Sequence, residues 1–254
     1  MRLGTYNVLG LTGYPAQTAR EQLGDAQRTI EHFSSVFAGL GCDVLALQEG
    51  PPPEIIRRIA ERLQVHLAAF GSPSAYPGYV LSRHPIHESR VFAHPGPGGA
   101  AGPFSRCAGA AQLEVGGREF WVVDVHLHPQ DVALRVREAE RLAAHLTAFA
   151  AEQALTVVLG DFNAQVGEAV HQMLAGRGFA NAMHQVGGGV APTMDTAGVR
   201  PLAIDHIYVA PRLAPHLTSA QVVRGPGFRL AAPTPPGAWV HSDHLPVVAE
   251  LSWP

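Results

Sequence analysis

The chain has 254 residues, 46% apolar and 15% charged, the balance of a globular protein with a sizeable core and not of a disordered chain. Its formal net charge of −3 excludes an overall positive excess for gripping a long phosphate backbone and leaves open only a local basic cleft. All 18 basic residues are arginine, which excludes Schiff-base and Walker-type lysine chemistry, and the two cysteines, Cys42 and Cys107, supply neither a disulfide framework nor a zinc cluster.

In chain order, RLGTYN reads as a short strand entering a loop. Residues 16–40 carry Leu23, Ala26, Ile30, Phe33, Phe37 and Leu40 at helical spacing and predict one helix, stopped by Gly41. CDVLALQE is a near-continuous apolar run, as expected of a strand covered on both faces, and Cys42 beside it reads as core. PPPEIIRRIAERLQ opens on prolines and continues as a helix with Ile55, Ile56, Ile59 and Leu63 on one side. Between 65 and 127 the pattern turns to short strands: VHLAAF, YPGYVLSRHPI, HESRVFAH, CAGAAQLEV and REFWVVDVHL. Gly116 and Gly117 signal a hairpin, and residues 94–104 have the composition of a flexible loop. An amphipathic helix is predicted over 131–153, a buried strand over LTVVLGDF, and a short helix near 166–177. A Gly-rich loop at 187–190, the strand AIDHIYV, a strand around 217–224 and the segment SDHLPVVAEL follow, with Asp243 and His244 opening the last strand. No linker or repeat divides this pattern, so one domain over 1–254 is expected. Helices alternate with strands at both ends and hairpins fill the middle, which suits sheets packed face to face with helices outside. The sequence shows no leader pattern and no apolar run able to span a bilayer, so a cytoplasmic monomer is expected.

Polar groups recur where apolar strands end: Asn7, Glu49, His126, Asp161 with Asn163, Asp205, and Asp243 with His244. Taken singly, each has an ordinary explanation: a turn residue, a helix cap, or a satisfied core histidine. Taken together, so many acids beside buried strand are costly unless they are paired or hold a metal, and convergence on one site is the economical reading. Hard oxygen donors without a cysteine or histidine triad favour Mg²⁺ or Mn²⁺ over Zn²⁺. A second carboxylate can orient or deprotonate water, and an imidazolium can face charge building on phosphate oxygens. The set suits phosphoryl transfer to water.

The motifs TYNVLG, LALQE, LSRHPI, VDVHLHP, GDFNA, AIDHIYV and SDHLPV, in this order and spacing, resemble the endonuclease/exonuclease/phosphatase superfamily over nearly the whole chain. The resemblance implies a four-layer α/β/β/α sandwich of the DNase I-like kind, two mixed sheets packed together with helices outside and a site where strand ends meet. It implies Glu49 as the principal metal ligand, with Asn7 beside it and Asp243 as a further metal-side carboxylate. It also implies that Asp161 activates or orients the attacking water, with Asn163 partnering the water or the phosphate. His244 would contact the phosphate, held in its tautomer by Asp205, with His126 as the other phosphate-facing residue. Arg106 is a further phosphate-binding candidate, and Arg83 reads as a surface arginine. Strand alternation would turn Asp161 and Asn163 into the site and Phe162 into the core. Leu9 stands where some nucleases of the group carry an acid, and Ala203 where many members carry arginine. The expected activity is that of a Mg²⁺- or Mn²⁺-dependent phosphodiesterase acting on a nucleic acid, a nucleotide or another phosphate ester. The alternatives are a lipid or inositol-phosphate phosphoesterase, for which Phe104 is the one aromatic residue of the 94–104 loop, and an inactive binding protein on the same scaffold.

Overall fold

The computed structural model describes residues 1–93, 104–151, 153–194, 201–231 and 234–253; all but Phe104 of the 94–104 segment lies outside them. Apolar strands buried on both faces build two six-stranded sheets. The first contains β1 (Arg2–Asn7), β2 (Val44–Gln48), β3 (His66–Phe70), β4 (Gly78–Ser82), β11 (Leu217–Val222) and β12 (Val247–Leu251), in the order β11-β12-β1-β2-β4-β3. The second contains β5 (Ile86–Val91), β6 (Ala108–Val115), β7 (Arg118–His126), β8 (Leu155–Asp161), β9 (Ala180–Asn181) and β10 (Asp205–Val209), in the order β5-β6-β7-β8-β10-β9. Each sheet has one parallel pair, β1 with β2 and β7 with β8, flanked by antiparallel neighbours. The parallel pairs need helical crossovers: α1 (Ala16–Leu23) and α2 (Ala26–Leu40) join the first, and α4 (Val132–Ala148) joins the second.

The layers follow from strand alternation. Leu3, Val44, Ala46, Val80, Val122, Val157 and Leu159 meet between the sheets. Tyr6, Leu45 and Leu47 turn the other way onto Phe33 of α2 and Ile56 of α3 (Pro53–Leu63). Val123, Val125 and Val158 face Leu142 of α4 and Leu174 of α5 (Ala169–Gly176). Helix, sheet, sheet, helix is the expected four-layer sandwich. The short α6 (Ala182–Val186) adds Ala182 and Met183 to the central core. No helix among the described residues is long and apolar enough to cross a membrane. Phe104 is fully buried and packs with the α4-side core.

Three expectations need correction. The single helix over 16–40 is two helices, because Gly24 takes φ 74° and the Asp25 carboxylate accepts from Arg28 N at 2.9 Å, starting a new helix with its own cap. The last strand begins at Val247, so Asp243 and His244 sit in the loop before it. And β8 ends at Asp161: Asn163 takes φ 48°, so strand alternation does not reach it. The Gly116–Gly117 hairpin joins β6 to β7 as read, with φ 58° and 74°.

Candidate active site

The carboxyl ends of both parallel pairs open on the same edge of the sandwich. Asn7 is the last residue of β1, paired with Gln48, and Glu49 follows β2 directly. In the second sheet His126 and Asp205 both pair with Asp161, so three adjacent strands set an imidazole and two carboxyls in one row. The two rows meet across the interface: the Asn7 amide donates to Asp161 Oδ2 at 2.9 Å and to Glu49 Oε1 at 3.3 Å. His244 enters from the loop before β12. Its Nδ1–H donates to Asp205 Oδ2 at 2.9 Å, and its Nε2 lies 3.8 Å from Asp161 Oδ2. His126 Nε2 lies 3.5 Å from Asp161 and 3.9 Å from Glu49. Residues separated by more than 230 positions in sequence thus share one cluster. Asp161, at its centre, is 1% exposed.

The backbone is bent to make this edge. Glu49 and Asn163 both adopt φ 48°, a left-handed conformation that costs a non-glycine residue of order 1 kcal/mol. At Asn163 it is held by the side chain, whose Nδ2 donates to Leu127 O at 2.9 Å, while its backbone N–H donates to Asp161 Oδ1 at 2.9 Å. Asn163 therefore orients Asp161 through its main chain and ties the β7 and β8 exits together.

Four carboxyls crowd the site, and burial makes charge expensive at two of them, Asp161 and Glu49. Burial, followed by the Asp205 charge, raises the Asp161 pKa. Burial raises that of Glu49, with Asp161 and Asp243 adding repulsion. For His244, burial opposes protonation, but Asp205, Asp161 and Asp243 outweigh it and push the imidazole up to about 10, so it stands as a cation. His126 goes the other way, down to about 4, through burial and the nearby Arg106 and His244 charges, with Asp161 opposing; it stands neutral. Arg106 lies beside it: the guanidinium carbon sits 4.1 Å from the ring centre of Tyr76, whose ring meets His126 edge-on at 6.0 Å. Arg83 lies elsewhere, exposed just past the far end of β4, where its backbone N–H bonds Asp43 O.

The donor set fits a hard divalent cation. Donor atoms of Asp161, Asp205 and His244 lie within 4.8 Å of one another. Within that trio, however, one Asp205 oxygen and His244 Nδ1 already satisfy each other, which leaves the half-buried Glu49 and Asp243 as carboxyls facing a shared negative field. Asn7 turns its amide nitrogen to the acids and its oxygen to Leu9 N at 3.2 Å, so as placed it is a donor to them.

Several residues outside the sequence reading hold the cluster in place. Ser242 Oγ donates to Asn7 O at 2.7 Å and accepts from His244 N at 3.2 Å. Thr193 Oγ1 accepts from the backbone N–H of Ile204 and Asp205. Glu138 of α4, fully buried, accepts from Ser105 N and Oγ and from His128 N, fixing the loops on either side of Arg106 and His126. Ser242 stands inside the SDHLPV motif and could have been read there. Glu138 and Thr193 sit in segments without any comparable signal.

The chain matches the model of the Endonuclease/Exonuclease/phosphatase family over residues 4–244. No curated protein matches it. Among solved structures it is similar to the mannosyl-6-phosphatase of Bacteroides thetaiotaomicron (16% identity, TM-score 0.77, all of both chains covered). It is also similar to an AP endonuclease of Archaeoglobus fulgidus (15%, 0.71, all of both chains) and a 3′-5′ exonuclease of Neisseria meningitidis (20%, 0.69, all of both chains). At these identities the solved structures establish the shared fold, and the match over nearly the whole length establishes membership: the chain belongs to the endonuclease/exonuclease/phosphatase family.

Proposed function

We propose that the protein is a divalent-metal-dependent phosphoesterase that attacks phosphodiesters, nuclease-like, with an activated water. The observation that carries this reading is Asp161: a buried carboxylate with its orientation fixed by Asn7 and Asn163 N–H, facing Nε2 of two histidines in opposite charge states. Its raised basicity suits it to take a proton from water or to aim the water in line. His244, a cation backed by Asp205, is placed to face the negative charge that grows on the phosphoryl oxygens. The neutral His126 offers a weaker donor on the other side, with Arg106 behind it. Asn163 holds the β8 exit at the geometry Asp161 needs. Glu49 and Asp243 would hold Mg²⁺ or Mn²⁺ with Asn7 beside them, and the cation when bound supplies charge stabilisation to the phosphate.

Solved neighbours named as a phosphatase, an AP endonuclease and an exonuclease support phosphate-ester chemistry and leave the ester open. The net charge of −3 favours a short nucleic acid, a nucleotide or a small diester over a long duplex. The inactive-scaffold alternative requires a missing core position, and Asn7, Glu49, His126, Asp161, Asn163, Asp205, Asp243 and His244 all stand in the sequence, which supports the active reading. The test is hydrolysis of bis-p-nitrophenyl phosphate, single- and double-stranded DNA, RNA, sphingomyelin, inositol phosphates and sugar phosphates, with Mg²⁺ or Mn²⁺ and with EDTA. Metal-dependent turnover of a diester is expected. With the best substrate, Asp161→Asn and His244→Ala are each expected to lower kcat by about 10²-fold or more with the fold intact. Either variant working at the parental rate overturns its assigned role, and undiminished turnover in EDTA overturns the metal.

A further inference from the structure

On the helix side of the second sheet, away from the acid–histidine cluster, a cavity of about 490 Å³ opens between α5, α6 and β10. Its floor is buried and ring-lined: Phe179, Tyr208 and His171. The volume is in the range of small-molecule sites, about 300–1,000 Å³. Val166, at the cavity, leaves 57% of its surface in water, a large apolar group that a ligand would cover.

The chemistry of the lining selects the ligand. Among the described lining residues there is no carboxylate and no guanidinium. His171 Nε2–H donates to Ala164 O at 3.1 Å, and with the ring kept neutral by burial its Nδ1 accepts from the Tyr208 hydroxyl at 2.8 Å. Burial favours the neutral form of both rings. A phosphate brought here would meet no guanidinium among the described lining residues and only one imidazole outside the floor, that of the exposed His184, so the cavity is a poor fit to the phosphoester substrate. A flat, uncharged ring would lie against the aromatic floor; Gln172 and Gln185 already give their amide nitrogens to Gly167 O and Ala214 O, so they would meet a polar edge through their side-chain oxygens.

The floor also touches the catalytic loop from behind. Phe162 stands between Asp161 and Asn163, stacks on His171 (centroids 5.5 Å, 22°) and packs 5.8 Å from Tyr208. The His171–Ala164 bond ties the same ring to the backbone just past Asn163. We propose that this cavity is a binding site for a small, uncharged aromatic molecule, coupled through Phe162 and His171 to the loop that carries Asp161 and Asn163.

The test uses indole as probe and indole-3-acetate as its charged counterpart, followed by NMR on the ¹⁵N-labelled full chain. Two variants alter the cavity without touching the catalytic cluster: Ala175→Trp, which fills it from the exposed face of α5, and Val166→Asp, which places a charge beside it. The expected results are indole binding with Kd of about 1 mM or tighter, at least tenfold weaker binding of indole-3-acetate, and at least tenfold loss in Ala175→Trp and Val166→Asp. Indole should also shift the backbone amides of Phe162, Asn163 and Ala164 in the parent and not in Ala175→Trp. Equal binding of the two probes, or indole binding indifferent to both variants, overturns the site. Binding that leaves the 162–164 amides unmoved overturns the coupling. None of these readouts depends on hydrolysis, so their failure is distinct from failure of the proposed activity.

Discussion

Glu49 shows at the level of one residue what gathering an acid into a crowded site costs a fold. Its φ of 48° places it in left-handed backbone, and burial, with Asp161 and Asp243 repelling it, raises its pKa. A group whose folded pKa lies above its unfolded value is penalised at neutral pH, where the unfolded chain ionises freely. Glu49→Gln removes that penalty and keeps an oxygen for the Asn7 amide, which now reaches Glu49 Oε1 at 3.3 Å. In EDTA, therefore, the variant is expected to melt at a higher temperature than the parent, while half-maximal activation by Mn²⁺ moves up by tenfold or more. Thermal unfolding in EDTA and a metal titration of turnover check the two halves. A lower melting temperature in EDTA would show that the carboxylate is satisfied without a cation.

The strand ends owe their positions to elements whose partners lie far along the chain. Gly160 sits at φ 143°, and a Cβ there would come within 1.9 Å of Val125 O on the neighbouring strand. Only a glycine lets β7 and β8 close tightly enough to align His126 with Asp161. Gly160→Ala is expected to cost about 4 kcal/mol or more, as displacing a strand in a packed core does, read as a fall in the urea midpoint or as insoluble protein. Glu138 works from the outer layer. Glu138→Gln leaves one oxygen where two served three donors, and a loss of about 2–4 kcal/mol in urea unfolding is expected, with kcat falling as the Arg106 loop is released. These two positions also mark how far the sequence could be read. Strands buried on both faces announce themselves as apolar runs, and a polar residue closing such a run stands out; Asn7, Glu49, His126 and Asp161 were visible that way, whereas Asp205 opens its strand and His244 lies in a loop, so both were marked by their motifs. The G-D pair at 24–25 carried a stop and a cap inside a long helical pattern, a local signal overridden by the periodicity around it. Asn163 was assigned by strand alternation, which fails once the backbone turns left-handed. Glu138, Thr193 and Tyr76 act through contacts across the fold, and no local pattern distinguishes a helical glutamate that bonds water from one that accepts three hydrogen bonds in the core.

Across the molecule as a whole, burying imidazoles ties the fold to pH. His206 is 1% exposed, packed edge-on to His171 (4.7 Å) and Phe162 (5.6 Å), near Tyr208 (6.3 Å), with Asn181 and Ala203 O as hydrogen-bond partners. Burial, with the His171 charge adding, pushes its pKa down to about 3, and His241 falls to about 4 by burial and His32. The sign is then fixed. Between about pH 6.5 and 3 the unfolded chain binds a proton at residue 206 that the folded chain refuses, so the stability this group contributes is complete above the unfolded pKa and shrinks as pH falls. The loss approaches about 1.4 kcal/mol per pH unit. Asp124 acts in the opposite sense: burial raises its pKa well above the usual range, so the folded chain keeps a proton that the unfolded one releases, which adds stability as pH falls. The parent's own acid curve mixes the two, and the informative quantity is a difference. His206→Gln loses ring packing and should be less stable than the parent at pH 7, but it has no imidazole to refuse a proton, so the gap should narrow by more than 1 kcal/mol between pH 7 and pH 4.5. Urea unfolding of both proteins at the two pH values measures the gap directly. A gap of unchanged size would mean that His206 takes up its proton inside the fold, and that the aromatic box behind the Asp161–Asn163 loop admits water.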